Sequence, residues 1–248
     1  MKKIRKRNAF YAQSGGVTAV INASACGVIE ACRKNKKHIG KLFAGQDGIL
    51  GALNQELIDT SFETDIAIRN LKYTPGGAFG SCRYKLKNYK DDDSDYKKLL
   101  KVFKAHDIGY FFYNGGGDSQ DTSNKIAEFC KSNDFDIQCI GIPKTVDNDL
   151  PLIDFSPGFG SVAKYTAVST LEAGLDVASM CATSTKVFIL EVMGRHAGWI
   201  AASSALANEN RKKPPHIILF PEIIFKEKEF LDTVQSTIKK YGFCVVVA

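Results

Sequence analysis

The sequence lacks the features that would place it in several large classes. No apolar run approaches the ~20 residues that a membrane-crossing helix needs. The longest, such as Val187–Val192 and Ile217–Phe220, fall well short. The basic start, Met1–Arg7, leads into no apolar stretch, so no secretory signal is expected. The seven cysteines form no CxxC pair, and the four histidines do not interleave with them at ligand spacing. Reduced, mostly core-filling thiols in a cytoplasmic enzyme are expected rather than a disulfide framework or a zinc site. There is no GxxxxGK[ST] loop, and Ser14, Ser119 and Ser161 sit in no nucleophile elbow. Lys and Arg total 33 against 27 Asp and Glu, too mild an excess for a nucleic-acid binder. The basic residues scatter apart from Lys2–Arg7, Lys34–Lys37 and Arg211–Lys213, which read as solvated faces or tails. The acidic run Asp91, Asp92, Asp93 and Asp95 reads as a solvated loop or helix cap, not a metal cluster.

What is present is average globular usage, 44% hydrophobic and 24% charged over 248 residues, enough for one large or two modest domains. Short apolar runs alternate with helical periodicity. Strands are predicted at Asn8–Ala12, Lys41–Ala44, Ile108–Tyr113, Asp136–Ile142, Val187–Val192 and His216–Phe220, with a buried strand at the end, Cys244–Ala248. Helices are predicted over Thr18–Arg33, Tyr96–Phe103, Asp118–Ser132, Gly158–Ala178, Ala197–Ala207 and Lys226–Tyr241. This order implies an α/β fold of Rossmann-like layers, mostly parallel sheets with helices on both faces. Prolines and acidic residues at Asp149–Pro157 suggest a boundary, giving domains 1–155 and 156–248.

Four strand ends carry the chemistry. Ser14-Gly15-Gly16 follows the first strand, where bare backbone N–H groups and the next helix could meet an anion. Gly115-Gly116-Gly117-Asp118-Ser119 bares one wall of a site and offers Asp118 as a Mg²⁺ ligand, with N-capping by Asp118 or Ser119 as the plainer reading. Pro143-Lys144-Thr145-Val146-Asp147-Asn148-Asp149 sets two carboxylates on one side if extended, one as general base, with Lys144 for a phosphoryl group. Met193-Gly194-Arg195 places an Arg at the tip of a buried strand, and Glu222 holds the equivalent place after the next strand. Gly158-Phe159-Gly160-Ser161-Val162-Ala163 mimics a dinucleotide fingerprint but follows no strand, so it reads as a closely packed helix start. His196 reads as an ordinary satisfied or exposed histidine.

Together these segments, with Gly76–Arg83 and Pro221-Glu222, resemble the phosphofructokinase family over nearly the whole chain. The resemblance implies two Rossmann-like three-layer domains: a donor domain over 1–155 and a fructose 6-phosphate domain over 156–248. It implies that Asp147 takes the proton from the sugar 1-hydroxyl, with Lys144, Thr145 and Asp149 beside the transferring group. It implies donor contacts at Gly15, Gly16, Arg83, Gly116, Gly117, Asp118 and Ser119. Sugar-phosphate contacts are implied at Met193, Gly194, Arg195 and Glu222, with Lys186 where relatives carry an Arg that reaches a neighbouring subunit. Mg²⁺ as cofactor, with Asp118 as its ligand, and a homo-oligomer are implied too; no nucleic-acid or membrane partner is. ATP-using members resemble GGDGS and PGTxDND at the second and third motifs. Here Asp118 and Lys144 replace glycines of those patterns and fill the space of a nucleoside α-phosphate, so pyrophosphate is the expected donor. Gly117 departs from the Asp of many relatives. An ATP-dependent member, another kinase with a Gly-rich turn and a non-catalytic paralogue remain the alternatives. Family chains continue past Val247-Ala248, so a second domain incomplete at its C-terminus, with little activity alone, is expected.

Overall fold

A computed structural model describes residues 5–208 and 214–248, so Lys2, Lys3 and Arg211–Lys213 of the basic clusters lie outside the described residues. The chain divides into two compact units, Met1–Thr145 and Val146–Ala248. Among the described residues, no helix is long and apolar enough to cross a membrane.

The first unit is built on β1 (Arg7–Gln13), β2 (Ile39–Gly45), β3 (Leu57–Asp59), β4 (Ile108–Gly115) and β5 (Gln138–Pro143), in the order β3-β2-β1-β4-β5. All neighbours are parallel except β3, which runs antiparallel to β2. Its helices are α1 (Ile21–Lys34), α2 (Ile49–Asn54), α3 (Asp65–Asn70), α4 (Ser94–Ala105) and α5 (Gly117–Ser132). Strand alternation feeds two cores from β1. Phe10 and Ala12 join Leu99, Phe103, Phe111 and Ile126. Ala9 and Tyr11 join Ala25, Ile29 and Leu42. Burying each large apolar side chain contributes roughly 1.5–3 kcal/mol, so the sheet is held from both faces. β1 pairs with β2 on one side and β4 on the other. The winding reverses there, and a crevice opens outside the carboxyl ends of β1 and β4.

The second unit contains α6 (Phe159–Met180), β6 (Val187–Leu190), α7 (Trp199–Ser203), β7 (Ile217–Ile218), α8 (Glu227–Tyr241) and β8 (Cys244–Val247). Its sheet has the order β6-β8-β7, all parallel. β8 is fully buried, as expected for a central strand. β6 lies at an edge and is only half-buried, with Ile189 exposed, so the expectation of a buried strand there is corrected. The strand expected over His216–Phe220 is reduced to β7, although His216 and Leu219 still donate backbone hydrogen bonds to Val245 and Val247 at 2.9 and 2.8 Å.

The division after Thr145 falls earlier than the expected boundary at 155/156. The reason is packing: Val146 lies against Phe159, Ala163 and Ile200 in the second unit's own core. The proline-rich stretch is a loop within that unit, tied by Asn148. Gly158 caps α6 at φ +117°, and Phe159 and Ala163 are buried behind it, as a closely packed helix start requires. All seven cysteines are free thiols. Burial pushes Cys139 up to about 12 and Cys32 and Cys130 up to about 11, so these stay neutral core fillers.

Candidate active site

The first unit gathers its unusual residues at the β1–β4 crevice. After Gln13 the chain turns through Ser14, Gly15 and Gly16. Gly15 has φ +79°, a left-handed value that costs glycine nothing. Its N–H donates to the Cys82 carbonyl at 2.9 Å, and Ser81 Oγ donates to its carbonyl at 2.7 Å. The turn is therefore clamped against the segment that carries Arg83. A Cβ on Gly16 would lie 3.3 Å from Arg83 Nη2, and one on Gly15 3.4 Å from Lys144 Nζ. Two cations thus bracket a turn made of bare backbone.

Lys144 reaches this place because β5 ends at Pro143 and the Lys144 N–H donates to Gly115 O at 3.0 Å, extending the β4–β5 ladder. The side chain is 4% exposed, and Nζ donates to Gly16 O at 2.5 Å. Lys is almost never buried without a charge or dipole to serve.

The three glycines after β4 have different tasks. A Cβ on Gly115 would collide with Ser119 and Ser14, whereas Gly117 faces open space and Gly116 has only Lys144 O, at 3.7 Å. The expectation that all three bare one wall is therefore corrected: Gly115 allows internal packing, and Gly116 and Gly117 leave the opening. Gly116 is the N-cap of α5 and no side chain caps it, so Asp118 and Ser119 are not caps. The N–H groups of such a first turn have no intrahelical partner and attract anions. Ser119 is turned inward, its hydroxyl donating to Ser14 Oγ at 2.8 Å. Beneath it Tyr113 hydrogen-bonds Ser14, and burial pushes its phenol up to about 12. Asp118 is turned outward, its side chain 84% exposed and 3.4 Å from Lys85 Nζ.

Sequence reasoning missed the buried amides below this turn. Gln13 and Asn114 are partners in the β1–β4 register. Gln13 Nε2 donates to Asn22 Oδ1 at 3.1 Å, and Asn114 Nδ2 to the Tyr11 hydroxyl at 2.9 Å. Asn22 also accepts from the Ala78 N–H at 2.9 Å and donates to Thr74 O at 2.9 Å. One amide thus ties α1 to the loop that delivers Arg83. The available signal was polar residues ending two adjacent apolar strands.

In the second unit, Asn148 has φ +55°, a value Asn tolerates better than most residues. Its Nδ2 donates to Asp154 O at 3.1 Å, and its Oδ1 accepts from the Ser156 N–H at 2.7 Å. The segment is therefore not extended there, and the expectation that Asp147 and Asp149 share one side is corrected. Asp147 is half-buried and Asp149 is exposed, and Thr145, the last residue of the first unit, is half-buried. Farther along, Gly194 has φ +111°, and its carbonyl accepts from the Ala197 N–H at 3.1 Å. Gly198 then donates to Glu222 Oε1 at 2.8 Å. This brings Glu222 to the loop of Met193, Gly194 and Arg195, where Met193 and Arg195 are exposed. His196 is exposed as well. Lys186 is not brought there. It precedes β6 while the loop follows it, and its Nζ donates to Cys181 O.

The family model for phosphofructokinase matches residues 8–248. The chain is 62% identical over 242 residues to a pyrophosphate–fructose 6-phosphate 1-phosphotransferase of Halomonas elongata, covering 98% of the chain and 58% of the relative. It is 58% identical over 241 residues to the protein of that name from Methylococcus capsulatus, covering 97% and 57%. The crystal structure of a pyrophosphate-dependent phosphofructokinase from Marinobacter aquaeolei superposes with a TM-score of 0.91 at 64% identity, covering 98% of this chain and 60% of that one. The chain thus spans less than two thirds of the length of these relatives. With a family model matched from residue 8 to residue 248, and a fold that superposes on a member's, the chain belongs to the phosphofructokinase family.

Proposed function

We propose that these residues belong to an enzyme that transfers a phosphoryl group from pyrophosphate to the 1-hydroxyl of fructose 6-phosphate, giving fructose 1,6-bisphosphate and phosphate. The observation that carries this reading is the buried Lys144 ammonium set against the Gly15-Gly16 turn, with the Arg83 guanidinium beside it. The names of the relatives at 58–62% identity support it.

Pyrophosphate would lie over Gly15, Gly16 and the first turn of α5, where backbone N–H groups, Arg83 and Lys144 oppose its charge. Asp147 takes the proton of the attacking hydroxyl, and that oxygen bonds to the phosphorus as the bridging oxygen leaves with the second phosphate. Thr145 and Asp149 flank the transferring group, and Met193, Gly194, Arg195 and Glu222 hold the sugar phosphate. Such catalysis is mostly positioning and charge stabilisation. One phosphoester forms for one anhydride broken, so the reaction runs readily both ways. Assembly into a homo-oligomer and a cytoplasmic setting are part of the proposal.

The residues fit Mg²⁺ as a substrate-borne ion. Among the described residues, no group of three or more His, Cys, Asp or Glu could cage a metal. Mg²⁺ commonly needs only one or two carboxylates, with substrate phosphates and waters completing its shell. The exposed Asp118 carboxylate at the opening of α5 meets that need. When bound, the ion would neutralise charge developing on the phosphates.

The donor is tested in a protein of the relatives' full length, by coupling turnover to aldolase with pyrophosphate or ATP as the only phosphoryl source. Turnover with pyrophosphate alone is expected, and turnover with ATP alone overturns the donor assignment. The paired change Lys144→Gly with Asp118→Gly should abolish pyrophosphate use; unchanged use would refute the steric and charge argument.

A further inference from the structure

Lys85 is absent from the motifs that pointed to the site, yet the fold delivers it there with unusual care. It lies two residues beyond Arg83 in a stretch outside any helix. Its neighbours are both fixed. Tyr84 donates its hydroxyl to Asp95 Oδ2 at 2.6 Å, while Leu86 is 2% exposed in the main core. With the backbone held on both sides, the Lys85 ammonium arrives 3.4 Å from Asp118 in the first turn of α5. Both side chains are largely exposed, 73% and 84%, so the pair adds little stability of its own. An exposed pair of that kind exchanges partners readily. A diphosphate anion offers Lys85 several charged oxygens where Asp118 offers one carboxylate.

We infer that Lys85 is a third pyrophosphate-binding cation, alongside Arg83 and Lys144, and that Asp118 competes with the anion for it. The inference rests on the donor site proposed above and extends it to a residue outside the glycine turns. Asp118 then has two opposed effects. Without a divalent ion, its carboxylate repels pyrophosphate and engages Lys85. With Mg²⁺ present, it serves the metal and Lys85 is released to the outer phosphate.

The test is calorimetric titration of the protein with pyrophosphate in the presence of EDTA, so that binding is read without turnover and without metal. Lys85→Gln is expected to weaken binding about tenfold, the value of one charge-assisted contact. Lys85→Arg should keep most of the affinity. Asp118→Asn should tighten metal-free binding severalfold and, with Mg²⁺ restored, should weaken it. These opposite signs separate a ligand contact from a structural ion pair, because loss of a structural pair moves both variants the same way. Equal affinity of Lys85→Gln and the unaltered protein overturns the inference, as does parallel weakening by Lys85→Gln and Asp118→Asn in EDTA. Failure of the unaltered protein to bind pyrophosphate at all overturns the donor-site reading itself, and the inference with it.

Discussion

Replacing Lys144 by methionine separates the chemistry of the proposed donor site from its architecture. Methionine matches the lysine stem in length and keeps the packing of a side chain that is 4% exposed. Only the ammonium is lost. A unit charge about 4 Å from a phosphate oxygen, at an effective dielectric of ~20, contributes about 4 kcal/mol. Removing one preorganised donor from a site of developing negative charge typically lowers rate by about 10²–10³. The expected result is therefore a fall of roughly 10²–10³ in kcat/KM for pyrophosphate. Stability should hardly follow. Gly16 O loses the donor now 2.5 Å away, a cost of about 1–3 kcal/mol. Relief of the ammonium's desolvation offsets several kcal/mol in the other direction. The melting temperature should move by less than about 5 °C. The assay is aldolase-coupled turnover at 15 and 30 °C beside a thermal melt. A loss below tenfold, or one that vanishes at the lower temperature, would refute the role of the charge.

The glycines of the second turn should behave oppositely. Gly115→Ala must push Ser119 and Ser14 aside and should cost about 1–3 kcal/mol in a denaturant melt. Gly117→Ala meets nothing within 4 Å and should leave the melt unchanged or slightly improved; equal melts for the two would contradict the packing described. Asn148→Ala loses two hydrogen bonds and places alanine at φ +55°, so a loss of about 2–4 kcal/mol is expected in the second unit. Asn148→Gly should cost less, since only the hydrogen bonds are lost. His216 provides a pH test. Its Nδ1 accepts from the Val245 N–H at 2.9 Å, and burial lowers its pKa below the ordinary value. Because the unfolded chain takes the proton more readily, this stability is present above about pH 6.5 and is lost as pH falls. His216→Leu should flatten the dependence of unfolding midpoint on pH between 7.5 and 5, and an unaltered slope would show that another group is responsible.

The alternation of strands and helices was legible because β1, β4 and β5 are apolar runs ended by glycine or proline, and such punctuation survives without any knowledge of partners. Three short elements between β2 and α4 were not legible. α2, β3 and α3 are too short to show a period, and what folds them is contact: Thr60, directly after β3, donates its hydroxyl to Leu42 O at 2.8 Å. Edge and centre were also indistinguishable. Val187–Leu190 and Cys244–Val247 are equally apolar, yet only the second is flanked on both sides. At the candidate site, spacing placed Gly15, Gly16 and Lys144 at strand ends, although a tight turn needs the same glycines; only the fold sets the lysine against them. The inward turn of Ser119, the bend at Asn148 and the Gln13–Asn22–Asn114 amides were not visible. Each depends on which distant backbone group happens to face it, a property of the sheet order and not of local spacing. The placement of Lys186 before β6 was readable, but the carbonyl its amine would choose was not.

The sheet of the second unit has one more consequence. β8 separates β6 from β7 and follows both in sequence. During synthesis, two strands therefore leave the ribosome with no ladder to join. They remain unpaired until Cys244–Val247 emerges and is threaded between them, closing loops that span all of α7 and α8. Such long-range parallel pairing is slow. The first unit needs no such delay, because everything its five strands require has been made by Pro143. A nascent chain would thus carry a finished first unit and a second whose β6 and β7 still lack their shared partner, which makes the interval before β8 arrives the period of greatest exposure to aggregation and to chaperones.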